Sequence, residues 1–240
     1  MKIDVLPYYG KQTDNHLYNT TVIVVDVLRA TTCMICALNG GADKIVPTVD
    51  AGDAVAIAGR LGQRECVLGG ERGGIKISGF DLGNSPKEYL GRAVKNKTVI
   101  VSTTNGTGAI HSVRSADMVM LGAMINRTAV AKAAAARGDD VLIVCAGTEH
   151  QPSADDLCTA GAIIDAMHYY ADFAEGDLSD MALICEKLYA DMRDGSFDIK
   201  KTFHCARLLR LGFEEDVDFC FEEDATDTVP VYRDGIIQKL

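Results

Sequence analysis

The chain has 240 residues, 48% of them hydrophobic, which is ample material for a buried core. Its formal net charge of −10 argues against nucleic acid as a main partner, because a phosphate backbone binds a basic surface. The N-terminal segment "MKIDVLPYYG" has no apolar signal core, and no apolar run reaches membrane-spanning length. We therefore expect a cytoplasmic protein without a membrane partner, whose eight cysteines are reduced thiols.

Strands and helices are predicted to alternate along the chain. The first strand is predicted from Ile3 to Tyr9, and the β-branched run from Val22 to Val25 is predicted to be a central strand that leads into a helix over 30–38. Further helices are predicted over 51–61, with Asp50 as N-cap, and over 127–137, 154–170, 178–192 and 201–211. Between them, strands are predicted in "DKIVPTV", "ECVL", "KTVIVS", "DMVMLG" and "DDVLIVC". Short strand-like pieces are predicted in the tail, around Phe219, over 229–231 and at 236–237.

This alternation predicts an α/β fold with three layers: a mainly parallel or mixed sheet with helices on both faces. The segments "TVIVVDVLRATT" and "TVIVSTTNGTG" share a strand opening and a Thr pair in the following turn, which indicates two similar βα halves. No Pro- or Ser-rich linker separates them. We therefore predict a single domain over 1–240.

The polarity of the chain changes abruptly where the run from Val22 to Val25 ends. Asp26 and Arg29 follow at once, then two threonines and an apolar helix. In open α/β sheets, ligands bind at the carboxyl ends of the strands, so these two residues are candidate catalytic residues. The alternative is a structural Asp–Arg pair at a strand–helix corner.

The loops after the other predicted strands are also polar and rich in glycine. Carboxylates in such loops suit Mg²⁺, which prefers oxygen ligands, and Arg, hydroxyl and N–H groups suit a phosphate or sulfonate. The candidate metal ligands are Asp26, Glu71, Asp81 and Asp156. The candidate substrate-binding residues are Arg29, Arg72, Thr103, Thr104, Asn105, Gly106 and Thr107.

Each of these motifs also has a purely structural interpretation. The segment "GGERGG" lacks the Lys-Ser/Thr ending of a P-loop and could form a tight hairpin, and "TTNGT" could be an ordinary turn. Asp155 and Asp156 could complement the dipole of the helix that they precede. His204 has no neighbouring His or Cys motif, so we expect it to be structural.

Five motifs occur together in an order that resembles the 2-phosphosulfolactate phosphatase family. They are "DVLRATT", "GGERGG", "GFDLGNSP", "STTNGT" and "CAGT", followed by an acidic pair before "LCTAG" and by the tail "FHCARLLRLGFEEDVDFC". The resemblance covers nearly the whole chain. It implies a Mg²⁺-dependent phosphatase that converts 2-phosphosulfolactate to sulfolactate, a step of coenzyme M synthesis. The chain departs from the family pattern at Asp155, where the family often has Glu, and at Cys205, where it has Gly.

The sequence leaves three functions open for such a site. They are phosphatase, phosphotransferase or isomerase, and non-catalytic binding of a small phosphorylated or sulfonated acid. In an enzyme, Asp26 could be the nucleophile or a metal ligand, and its position after a buried strand fits both roles. The expected partner is a small anionic substrate, and the oligomeric state is left open, with a homodimer among the options.

Overall fold

The computed structural model describes residues 1–10, 17–62 and 64–240. Within these ranges the strands are β1 Ile3–Leu6, β2 Thr20–Val25, β3 Lys44–Thr48, β4 Cys66–Arg72, β5 Ile75–Lys76, β6 Thr98–Ser102, β7 Met118–Gly122, β8 Asp140–Cys145, β9 Pro230–Arg233 and β10 Ile236–Lys239. The α-helices are α1 Ala30–Asn39, α2 Ala51–Leu61, α3 Gly106–Ser112, α4 Arg127–Ala135, α5 Ala154–Met167, α6 Asp180–Arg193, α7 Phe203–Arg210 and α8 Glu214–Cys220. None of the described helices is both long and apolar enough to cross a membrane.

The strands form one mixed, mostly parallel sheet in the order β1-β8-β2-β7-β9-β10-β3-β6-β4-β5, with helices packed around it. Strands β1, β8, β2 and β7 are parallel to one another, and so are β3, β6 and β4. The C-terminal hairpin β9–β10 lies between these two blocks and pairs antiparallel with both. The predicted α/β class and mixed sheet are therefore confirmed.

The hairpin gives the sheet two matching halves. Strand β2 is third in one half, after β9 and β7, and β6 is third in the other half, after β10 and β3. These are the two strands whose sequences share a Thr pair in the following turn. A continuous sheet and a shared apolar core join the halves, and the single domain over 1–240 stays a prediction.

The hairpin also reverses the direction of the second block relative to the first. Five interstrand steps separate β2 from β6. Because each step rotates a sheet by roughly 20–25°, the accumulated twist of about 100–125° offsets much of this reversal. The loops after β2, β4, β6 and β8 consequently line a single cleft.

The core is centred on β2 and α1. Every residue of β2 after Thr20 is buried, and so is every residue of α1 before Asn39. Helix α1 contacts β3, β7, β9 and α3, so elements of both blocks surround it. Strand β2 can be apolar on both faces because α5 and α3 also contact it. Asp26 and Arg29, between β2 and α1, are therefore held by the best-packed part of the molecule.

Most predicted elements are present with shifted ends. Asp50 caps α2 by accepting hydrogen bonds from the N–H groups of Gly52 and Asp53, as predicted. The first strand ends at Leu6 rather than Tyr9, and β4 continues through Arg72. The predicted strand around Phe219 is wrong, because that segment is helix α8, which buries Val217 and Cys220 one turn apart. Its alternating apolar residues belong to a helix whose first turn is acidic, a placement that favours a helix N-terminus.

Candidate functional site

A cleft lies where four strand-end loops meet α7. Residues from the loops after β2, β4, β6 and β8 and from α7 line it, together with the segment between β5 and β6. The charged lining residues are Asp26, Arg29, Glu71, Glu149, His204 and Arg207. The other lining residues are Leu28, Gly73, Gly74, Asn84, Thr104, Asn105, Thr148 and Leu208. Of the residues predicted from the sequence, the cleft therefore brings together Asp26, Arg29, Glu71, Thr104 and Asn105.

Asp26 is a buried carboxylate whose orientation is fixed by the start of α1. Its Oδ1 accepts a hydrogen bond of 3.1 Å from the N–H of Ala30, and its own N–H donates to Thr31 Oγ1. Burial, with a smaller contribution from the negative charges of Glu71 and Asp155, raises the pKa of Asp26 to about 6 against the opposing effects of the Ala30 N–H and His204. Oδ2 accepts no hydrogen bond from the described residues. Asp26 thus presents a free oxygen that is readily protonated.

Glu71 accepts hydrogen bonds from two loops that line the cleft. Its Oε1 accepts from the N–H of Thr104 at 2.7 Å, and its Oε2 accepts from the N–H of Gly74 at 2.6 Å and from Thr104 Oγ1 at 3.1 Å. The motif "GGERGG" forms the end of β4 and the tight turn to β5, with Gly73 and Gly74 of the turn at positive φ. The hairpin interpretation and the binding-loop interpretation are therefore compatible, because this turn presents Glu71 to the cleft.

Arg29 is buried, and its guanidinium contacts three other residues of the protein. Its Nη1 donates to Asp216 Oδ2 at 2.6 Å, its Nη2 donates to the carbonyl of Gly74 at 3.1 Å, and its guanidinium lies 4.0 Å from the centre of the Phe213 ring. Asp216 also accepts from Ser85 Oγ. Arg29 therefore lines the cleft while it joins α8 to the loop after β4.

The threonine loop after β6 divides into two parts. Thr104 and Asn105 line the cleft, whereas Thr103 and Thr107 are buried and exchange hydrogen bonds between the side chain of one and the backbone N–H of the other. Gly106 lies against Asp26: a Cβ there would lie 2.7 Å from Asp26 Oδ2 and 2.5 Å from Ala30 Cβ. Only glycine lets α3 start this close to the carboxylate.

Besides Thr103, Gly106 and Thr107, three further predicted site residues are not among the cleft-lining residues. Arg72 donates to the carbonyls of Glu71 and Val49 and to Ser102 Oγ. Asp81 accepts from the N–H of Leu68, in the middle of β4. Asp156 accepts from the N–H groups of Val27 and Gly147, and burial raises its pKa well above the usual range.

Two cationic residues of the cleft were missed because they lie on α7, far along the chain from the predicted loops. His204, expected to be structural, lines the cleft with its Nδ1 3.0 Å from Asp155 Oδ2. Arg207, three residues later, donates to Glu149 Oε1 at 2.9 Å. Their i, i+3 spacing on an amphipathic helix was the available signal, because it places both side chains on one helix face.

Asn84 belongs to the polar loops predicted from the sequence, but no specific role in the site was predicted for it. It lines the cleft, and its Oδ1 is buried without a hydrogen-bond partner in the described residues. An unpartnered buried polar atom is destabilising by roughly 1–3 kcal/mol. A bound ligand would remove that penalty, so Asn84 is a candidate contact for whatever occupies the cleft.

The described residues contain no group of three or more His, Cys, Asp or Glu side chains arranged to hold a metal ion. Mg²⁺ needs no such group, because it is commonly bound through one or two carboxylates, with waters and substrate phosphates as its other ligands. Among the described residues, Asp26 Oδ2 and Asn84 Oδ1 have no hydrogen-bond partner, and Glu71 Oε1 accepts a single hydrogen bond. This donor set fits Mg²⁺.

Comparison with known proteins agrees with the family resemblance of the sequence motifs. The family model described as 2-phosphosulpholactate phosphatase matches residues 9–235. The chain is 40% identical over 231 residues to the "Probable 2-phosphosulfolactate phosphatase" of Caldanaerobacter subterraneus subsp. tengcongensis, covering 96% of this chain and 95% of that protein. Proteins of the same name from Clostridium novyi and Caldicellulosiruptor saccharolyticus are each 37% identical, with at least 97% of both chains covered. The chain therefore belongs to the 2-phosphosulfolactate phosphatase family.

Proposed function

We propose that this protein is a Mg²⁺-dependent phosphatase that hydrolyses 2-phosphosulfolactate to sulfolactate and phosphate. The observation that carries the proposal is the cleft, where Asp26, Arg29 and Glu71, at the ends of buried strands, lie with His204 and Arg207 of α7. Family membership supports the substrate class. Phosphoryl transfer needs positioning and charge neutralisation, and a cleft with charged groups of both signs supplies them.

Asp26, Asn84 and Glu71 are the residues proposed to hold the metal. Asp26 and Asn84 have free oxygens, and Glu71 can offer Oε1 without releasing the hairpin. A bound Mg²⁺ supplies positive charge that neutralises the phosphoryl oxygens. Asp81 and Asp156, also predicted as ligands, are not among the residues that line the cleft, and their carboxylates accept backbone hydrogen bonds elsewhere.

The substrate carries phosphate, sulfonate and carboxylate groups, so its recognition requires several donors. Arg207 is one-third exposed, and within the described part of the chain its guanidinium donates to Glu149 and the carbonyl of Gly73 alone, so it can turn to a ligand. Arg29 contributes positive charge from a fixed position behind the cleft. Thr104 and Asn105 add neutral donors at its edge. We assign Arg207 the role of the mobile anion-binding cation.

Asp26 fits two catalytic routes. As a nucleophile, it would attack phosphorus through Oδ2 and form an acyl phosphate; as a metal ligand, it would help to position an attacking water. The stereochemistry at phosphorus, followed with a substrate made chiral by oxygen isotopes, separates them. Inversion indicates one direct in-line attack by water, whereas retention indicates two in-line steps through an acyl phosphate.

Phosphate release from a panel of small phosphoesters, with Mg²⁺ or with EDTA, tests the proposal. We expect 2-phosphorylated acids to be hydrolysed, EDTA to stop the reaction and Mg²⁺ to restore it. Full activity in EDTA would reject the metal, and release of no phosphate by a folded protein would favour the binding-protein alternative. Transfer of phosphate to an acceptor other than water would favour the phosphotransferase. Entry into coenzyme M synthesis, a cytoplasmic location and a homodimer stay predictions.

A further inference from the structure

His204 has the placement of an acid–base group rather than of a core histidine. It is the second residue of α7, and its side chain is 17% exposed at the cleft that Asp26 and Glu71 also line. Its Nδ1 lies 3.0 Å from Asp155 Oδ2. The other ring nitrogen, Nε2, has no hydrogen-bond partner anywhere in the described chain. One nitrogen is thus held by the protein, and the other is free to meet a ligand.

Asp155 is itself held in place, which makes the pair rigid. Only 1% of its side chain is exposed, and its Oδ1 accepts a hydrogen bond from Ser153 Oγ at the start of α5. Thr148 Oγ1 donates in turn to Ser153 Oγ. A carboxylate that accepts from Nδ1 fixes the tautomer and the ring orientation, so that Nε2 carries the exchangeable proton.

The electrostatic surroundings favour the protonated imidazole. Burial by itself lowers the pKa of His204, but the hydrogen bond and charge of Asp155, together with the charge of Asp26, outweigh that effect. The pKa of His204 is therefore raised above its ordinary value of 6.5. The opposing charge of Arg207 does not reverse the direction.

We propose that His204 is the general acid of the reaction and that Asp155 is the residue that positions it. This inference rests on the proposed phosphatase function. When the P–O ester bond breaks, both electrons stay on the ester oxygen, which takes the proton from His204 Nε2 and leaves as an alcohol. The incoming oxygen forms the new P–O bond, and the water that is consumed returns a proton to Nε2. The alkoxide of a 2-hydroxy acid is a poor leaving group, so this proton has a large effect on the rate.

Two substrates with different leaving groups test the proposal. Hydrolysis of 2-phospholactate releases an alkoxide, which needs a proton. Hydrolysis of p-nitrophenyl phosphate releases a stable phenolate, which does not. In His204→Gln we expect kcat/KM to fall about 10²–10⁴-fold for 2-phospholactate and less than about tenfold for p-nitrophenyl phosphate. Asp155→Asn should shift the same ratio in the same direction. His168→Gln, at an exposed histidine paired with Glu186, is the matched control and should leave the ratio unchanged.

The ratio of the two rates separates chemistry from folding, because a damaged fold slows both substrates alike. Equal losses on both esters in His204→Gln, or no loss on either, would overturn the general-acid role and leave the phosphatase proposal intact. If wild-type protein with Mg²⁺ hydrolyses neither ester nor 2-phosphosulfolactate, the proposed function itself fails. A change in the ratio for His204→Gln and Asp155→Asn but not for His168→Gln establishes the proposal.

Discussion

Replacement of Asp26 by Asn should make the protein more stable and less active at the same time. Asp26 is 7% exposed, and burial raises its pKa from 3.8 to about 6. A carboxyl group with a raised pKa is destabilising in its ionised form, because the folded protein disfavours that charge relative to the unfolded chain. Asn keeps the shape of the side chain and the acceptor for the N–H of Ala30, and it removes the charge.

The size and pH range of the effect follow from the two pKa values. Below pH 3.8 the group is protonated in both states, so wild type and Asp26→Asn should have similar stabilities. As the pH rises to about 6, only the unfolded chain ionises, and wild type loses stability relative to the variant. The shift of about two units corresponds to roughly 3 kcal/mol above that pH. In a chain of this size, this corresponds to a rise in Tm of roughly 6–12 °C.

Urea unfolding of the metal-free proteins in EDTA, at several pH values from 4 to 8, measures this difference. Asp227→Asn, at an exposed carboxylate, is the control and should change the stability by less than about 0.5 kcal/mol. Loss of kcat/KM in Asp26→Asn should be on the order of a thousandfold or more. The reasoning is refuted if the variant is less stable than wild type at pH 8, or if their difference does not grow between pH 4 and 6.

Three further predictions concern recognition, the site and the core. Arg207→Gln should lower kcat/KM for 2-phosphosulfolactate by roughly 10–100-fold, mainly through KM, since a hydrogen bond to a charged group contributes about 1.5–3 kcal/mol. The control Arg72→Gln should change KM less than about threefold. Equal effects of the two substitutions in steady-state kinetics would contradict the assignment. Gly106→Ala should lower kcat by at least roughly tenfold because its Cβ displaces Asp26 Oδ2, and wild-type kcat in that variant would show that the position of Asp26 is not critical. Gly161→Ala should lower the free energy of unfolding by roughly 1–3 kcal/mol, because its Cβ would collide with the Cys185 carbonyl between α5 and α6. Gly59→Ala, in open space on α2, should raise the free energy of unfolding by roughly 0.5–1 kcal/mol. Chemical denaturation checks both signs.

The end of β2 was predictable because local sequence determines it. The β-branched run that ends in Asp26 is recognisable by composition alone, and its burial makes the following residues converge on a ligand site. The same argument selected Glu71, at the end of β4, and Thr104, after β6, and both line the cleft. Even the Thr-pair similarity reflects equivalent strand positions in the two halves.

The direction of individual side chains was not predictable from the same pattern. Arg72 is next to Glu71 in sequence, but successive strand residues point to opposite faces, so only one of them faces the cleft. The reversal of the second block depends on a hairpin more than a hundred residues away from β6. Helix α7 reaches the cleft through tertiary packing, and therefore the roles of His204 and Arg207 depend on long-range contacts that no local motif encodes.

Phosphate release from 2-phosphosulfolactate with Mg²⁺, compared between wild type and Asp26→Asn, tests the central claim most directly. We expect wild type to release one phosphate per substrate, with sulfolactate as the other product, and Asp26→Asn to be on the order of a thousandfold slower or more while it remains folded. Absence of phosphate release by wild type, or equal rates for the two proteins, would contradict the assignment of this cleft as a phosphatase site.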